Sequence, residues 1–194
     1  MAKYLYGASI QGIQDFIFKT NQLQEIVGAS EIVKNIEQEF RDFTKIDEKN
    51  ILLNAAGNIK AIFDDEEMLK KVALEFPKMI MQKAYGITIS QAVVKMEETF
   101  SDQKVAIKEL EKRLKIQRNK PSLPLDLSIN ILKHAPKTAR PQIEKDMDIA
   151  TKQKRVAYAN WFKDEIKNEA EFEKSKELSY ISNGKNKIAV IHAD

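Results

Sequence analysis

Six small or amide-bearing residues, Ser9, Gln11, Gln14, Asn54, Gly57 and Asn58, fall into two short segments, 9–14 and 54–58. Hydroxyl, carboxamide and glycine positions let backbone N–H groups approach a phosphate or a base, which bulkier side chains would prevent. The same residues serve turns, because Asn and Gly tolerate positive φ, so a nucleotide contact and plain turn chemistry both fit each of them. A single carboxylate, Asp194, ends the apolar run 187–194. A carboxylate at the end of a buried strand is a place to hold a divalent ion through oxygen, but one carboxylate alone binds such an ion weakly.

Other chemistry is poorly provided for. The chain has no cysteine and two histidines, His134 and His192, which excludes disulfides and thiolate zinc sites and leaves any metal to be held mainly by oxygen. Neither histidine has a serine or cysteine partner nearby in sequence, so no nucleophilic triad is assigned. Asp15 and Lys19 have the spacing of a helical i,i+4 ion pair. The acids at 64–67 suit the first turn of a helix, where they complement its dipole. Residues 108–120 are rich in Lys and Arg, but glutamates interrupt them, which reads as a solvated helix face rather than an RNA contact.

With 194 residues, 43% hydrophobic and 31% charged, the chain has the balance of a packed domain. Its formal net charge of +3 selects no partner. No signal peptide and no run of about 18 apolar residues is evident, so a cytoplasmic, membrane-free protein is expected.

The elements that must position the candidates follow from periodicity. Residues 4–10 alternate loosely and carry aromatic and β-branched side chains, predicting a strand, with a short helix over 13–18. Leu23, Ile26, Val27, Val33, Ile36 and Phe40 recur at three- and four-residue steps, predicting a long helix capped by Thr20 or Asn21. Gly28 inside it is either tolerated or a mark of close packing against a sheet. Segments 51–53 and 59–63 read as a β-hairpin about 54–58. A helix capped by Asp64 or Asp65 follows, with Pro77 kinking or ending it, and then a strand over 87–96.

This βαββαβ order predicts an α+β, ferredoxin-like sheet with helices on one face and the other face free. A charged helix over 101–120, with Ile107, Leu110 and Leu114 inward, precedes a proline-rich loop, a second long helix from about 148 to 177 and a buried strand over 187–194. The predicted division is a palm-like domain at 1–98, a helical linker at 99–186 without zinc ligands, and the first strand of a second sheet at 187–194.

Residues 4–18, YLYGASIQGIQDFIF, and 21–33, NQLQEIVGASEIV, resemble the start of the first palm domain of the Cas ten family. This is the large subunit of type III CRISPR effector complexes, also called the Cmr two or Csm one type. The resemblance rests on a Gly-Ile-Gln-containing turn after a strand and on a Leu…Gly-x-Ser signature, here Leu23, Gly28 and Ser30. The hairpin LLNAAGNIKAIF resembles the glycine-rich hairpin of that palm, and KIAVIHAD resembles the first strand of the second palm, where an Asp begins a metal site. Residues 134–141, HAPKTARP, resemble the family's Cys-x-x-Thr-Gly-x-Pro segment.

The departures from the family pattern are specific. There is no thiol near Ala135, so the zinc of some relatives cannot be assembled. Ser9 stands where many relatives carry Asp, and the hairpin lacks an acidic pair. The family's Gly-Gly-Asp-Asp hairpin belongs to the second palm, and the sequence stops at Asp194, so a truncated second palm is expected.

The resemblance implies the non-catalytic half of an ATP-binding cleft for cyclic oligoadenylate synthesis in antiviral defence, a nucleotidyltransferase or cyclase only when a second palm completes it. Magnesium or manganese would accompany ATP, with Asp194 as a ligand in the completed site, and RNA-containing effector subunits would be partners. The alternative is an RRM-like RNA- or protein-binding scaffold working through the open sheet face. Its central strands carry mainly aliphatic residues, and Phe63 is expected at an edge, so base stacking has little support.

Overall fold

The computed structural model describes residues 3–55, 57–96, 100–120 and 131–165. The first strand, β1 (Lys3–Gln11), leads through α1 (Ile13–Phe18) to the long α2 (Leu23–Thr44). A hairpin, β2 (Ile51–Ala55) and β3 (Asn58–Phe63), precedes α3 (Glu66–Lys83) and β4 (Thr88–Met96). The sheet is antiparallel in the order β2-β3-β1-β4, the arrangement of a ferredoxin-like α+β palm. Then come α4 (Phe100–Arg118), a small hairpin of β5 (Gln142–Glu144) and β6 (Met147–Asp148), and α5 (Ile149–Glu165).

Alternation along the central strand explains the layering. Tyr6, Ala8 and Ile10 face α2 and α3, packing on Ile36, Phe40, Val72 and Phe76. The Tyr6 ring stacks on Phe40 at 6.1 Å and meets Phe63 edge-on at 6.0 Å. Leu5 points the other way and joins Val94, Met96, Ala106, Leu110 and Leu114. The face predicted to be free is therefore covered over β1 and β4 by α4, whose apolar stripe needs a partner as much as the sheet does. Gly7 fits this contact by size, since a Cβ there would lie 2.8 Å from Leu110 Cδ2.

Several local expectations are corrected. Phe63 is not at an edge: β3 is an inner strand and the ring lies in the core. The N-cap of α2 is Gln22, without a side-chain bond, and not Thr20 or Asn21. Gly28 does mark close packing, but against α5 rather than the sheet, because a Cβ would fall 1.8 Å from the Lys154 carbonyl oxygen. Asp65 is the N-cap of α3, accepting from the Glu67 N–H at 2.9 Å.

Pro77 does not end α3, which runs on to Lys83. Proline has no N–H to give the carbonyl four residues back. That carbonyl, on Ala73, accepts instead from Gln91 Nε2 at 2.6 Å, while Gln91 Oε1 accepts from the buried Tyr6 hydroxyl at 3.1 Å. The predicted strand 187–194, and the second long helix beyond Glu165, lie outside the described residues.

Candidate functional site

The register of β1 gathers a polar set on the sheet face that also carries Leu5 and Gly7. Ser9 is opposite Asn58 on one side and Ser90 on the other, and Gln11 is opposite Thr88. The Ser9 hydroxyl donates to Asn58 Oδ1 at 3.0 Å, and Gln11 Nε2 donates to Ser9 Oγ at 3.5 Å. Ser9, Ser90 and Thr88 are buried, whereas Gln11 and Asn58 are partly exposed. The set begins two residues past Gly7, where the α4 leucines press on the strand, so hydroxyls and amides replace hydrocarbon along one face.

The six sequence candidates do not converge. Ser9, Gln11 and Asn58 come together. Asn54 belongs to β2, paired with Ile59, and turns to the helical side, where its Nδ2 donates to the Glu37 carbonyl at 3.0 Å. Its role there is to tie the hairpin to α2. Gln14 is exposed on α1. Gly57 closes the hairpin at φ +75°, and its carbonyl accepts from the Ile10 N–H at 2.8 Å. A Cβ at Gly57 would lie 2.7 Å from Ile13 Cδ1, so the hairpin end packs directly on α1. Asp194 lies outside the described residues.

Thr88 and Ser90 went unnoticed in the sequence. Their i, i+2 spacing in a strand is a signal, but only the β1–β4 register shows which residues they stand beside. The chemistry available is donation and acceptance by neutral groups: three hydroxyls and two carboxamides, with no carboxylate in the set. Such donors suit a ribose, a base edge or a phosphate oxygen. They do not fit a two-ion centre, which needs bridging carboxylates. Among the described residues, no three His, Cys, Asp or Glu side chains come together to hold a metal.

A second polar group, at the junction of α1, α2 and α5, was also missed. Glu25 is fully buried on α2 and bonds Arg155 through Nη2 at 2.8 Å and Nε at 3.0 Å. Arg155 Nη2 also donates to Gln22 Oε1 at 2.9 Å. Lys154, buried, donates to the Phe16 carbonyl and lies 4.6 Å from the centre of the Phe16 ring. Burial pulls its pKa down to about 8, against the opposing pull of Glu25 and Asp148. Asp148 caps α5 by accepting from the Thr151 N–H at 2.7 Å, with Arg140 3.9 Å away. These charges bind one helix to another, which makes them a docking device rather than a catalytic set.

The segment 133–142 closes into a compact turn through Ala135 N–H to the Arg140 carbonyl at 2.8 Å and Gln142 N–H to the Lys133 carbonyl at 2.8 Å. Asp15 and Lys19 approach to 4.0 Å on α1, the helical pair expected. Among the described residues, no helix is long and apolar enough to cross a membrane.

No family model and no curated protein matches the sequence. Solved structures do. Among them are Csm1–Csm4 assemblies. One, the Csm1–Csm4 cassette in complex with AMPPNP, has 18% identity and a TM-score of 0.45, covering 60% of this chain and 18% of that chain. The cassette in complex with cA4 gives 19% and 0.44 at the same coverage. The Csm1–Csm4 subcomplex in the type III-A CRISPR-Csm interference complex gives 18% and 0.44, again covering 60% and 18%. The likeness thus spans 18% of the length of those chains.

Proposed function

We propose that this chain supplies a palm that holds a nucleotide, with ATP as the substrate class, against the sheet end marked by Ser9, Gln11 and Asn58, as the non-catalytic half of a cleft in a type III CRISPR-type effector. The observation that carries this reading is the hydroxyl and carboxamide set at the end of the central strand, bonded Ser9 to Asn58 at 3.0 Å and free of carboxylates. Neutral donors there favour binding over metal-assisted chemistry. The resemblance of residues 4–33 to the first palm of the Cas ten family supports the setting, with RNA-containing effector subunits as partners. Magnesium or manganese would belong to a second palm, to which the resemblance assigns Asp194; no step is derived through it.

The test is calorimetric titration of the whole chain with ATP, with and without magnesium or manganese. Saturable binding that weakens at least about tenfold in Ser9→Ala and Asn58→Ala, roughly one hydrogen bond to a charged or polar ligand each, is expected. Absence of binding at millimolar ATP overturns the proposal.

A further inference from the structure

On α4, Lys104, Lys108, Lys112 and Lys115 are all exposed. At 3.6 residues per turn they fall within about 80° of the helix circumference, over a length of about 16 Å. The opposite side is the one that Ala106, Leu110 and Leu114 press onto the sheet. In sequence, the glutamates of this helix interrupt the basic run. In the structure they are taken up along its flanks: Glu109 pairs with Arg113 at 2.9 Å, and Glu111 with Lys60 and with Arg118 at 3.7 Å. Among the described residues none of the four lysines forms an ion pair within 4.0 Å, although Lys112 lies in the field of Glu109, so most of the stripe's positive charge faces outward.

We infer that the outward stripe of α4 is a docking surface for the phosphate backbone of single-stranded nucleic acid. Lysine ammonium groups act as point charges for phosphate, while the forked arginines of this helix are committed to its own glutamates. A membrane surface is disfavoured because the buried apolar face of α4 is already spent on the sheet, and the exposed Val105 and Ile116 on its flank are too small an apolar area to anchor the helix among lipids. A single row on a convex helix tracks one strand and enters no groove. Between Lys104 and Lys115 no residue of the stripe is aromatic, so binding along it is independent of base identity. This surface is separate from the Ser9–Asn58 set, and its existence does not depend on nucleotide binding there.

The test is fluorescence anisotropy of the full chain with a labelled 20-nucleotide uridine oligomer across a series of salt concentrations. Four released counterions give a log–log salt slope near ~−2.8, at about 0.7 per neutralised phosphate on a single strand. Changing Lys104, Lys108, Lys112 and Lys115 together to Gln should abolish most of that slope and weaken binding at least about tenfold at 50 mM salt. A control with the same net charge, Lys78, Lys137, Lys145 and Lys163 changed to Gln, should retain both. All eight side chains are exposed, and thermal melts verify that both variants fold. Equal losses in the two variants, or no salt-dependent binding by the unaltered chain, overturn the inference.

Discussion

Replacing Gly28 by alanine should destabilise the protein, against the ordinary rule that alanine is worth about 1 kcal/mol over glycine inside a helix. The new methyl carbon would lie 1.8 Å from the Lys154 carbonyl oxygen, 2.7 Å from its carbon and 3.0 Å from the Tyr158 nitrogen. These are backbone atoms of α5, so no rotamer change relieves the clash, and the two helices must part by about 1.5 Å to reach normal contact. Overpacking of this kind costs about 1–3 kcal/mol, and a rigid neighbour puts it at the upper end. Parting the helices also stretches the Arg155–Glu25 bonds, at 2.8 and 3.0 Å, and the Lys154 bond to the Phe16 carbonyl. Hydrogen bonds to charged groups are worth about 1.5–3 kcal/mol each.

After the propensity gain is subtracted, a net loss of about 3 kcal/mol or more remains, a large part of a typical stability of about 5–15 kcal/mol. Trp161, the sole tryptophan, lies on α5 and reports its docking by fluorescence during urea unfolding. At a typical slope of about 1–3 kcal/mol per molar urea, the midpoint should fall by about 1–3 M. A midpoint at or above that of the unaltered protein would refute the reasoning, because it would mean that α2 and α5 do not meet backbone to backbone.

Two further outcomes follow from the packing. Gln91→Ala strands the buried Tyr6 hydroxyl and leaves the Ala73 carbonyl, freed by Pro77, without its donor, at a cost of about 2–4 kcal/mol in chemical denaturation; adding Tyr6→Phe should recover part of it, and an unchanged midpoint for Gln91→Ala would count against the bridge. Lys154, depressed to about 8 in the fold from 10.5, binds fewer protons folded than unfolded across that window. Its contribution to stability must therefore rise with pH, by up to about 1.4 kcal/mol per unit between pH 8 and 10.5, when the protein is compared with Lys154→Met in urea melts at several pH values. Parallel profiles would refute the burial of the charge. Glu25, Asp148, Arg140 and Asp15 share that field and remain in both proteins.

The sheet and its order were legible because β1 carries aromatic and β-branched residues, β4 is rich in β-branched ones, the Asn- and Gly-bearing segment 54–58 marks the hairpin, α3 carries a helical period, and βαββαβ leaves few topologies open. What was not legible depended on contacts across long stretches of sequence. Periodicity showed that α4 has an apolar face but not that it lies on the sheet, so the open palm face was an overreach. Gly28 announced close packing without naming its partner, which arrives some 126 residues later. Glu25 carried no signal in the sequence because its partner, Arg155, lies 130 residues away. At the candidate site, residue type singled out Ser9 and Asn58, which the structure brings together, while Asn54 turns to the other face because strand residues alternate, and its parity depends on the register of β2 with β3.

The pairing of Glu25 with Arg155 also has a bearing on the birth of the molecule. At about 5–20 residues per second, the arginine leaves the ribosome on the order of ten seconds after the glutamate. Throughout that interval α2 can already seat Ile36 and Phe40 against the emerging sheet, while the flank bearing Glu25 and Gly28 must wait in water. A carboxylate on that flank keeps it hydrated and unattractive to stray hydrophobic segments of neighbouring nascent chains. The residue that is costly to bury at the end is the one that protects the helix beforehand, and α5 serves as the late clasp that converts a waiting surface into an interior.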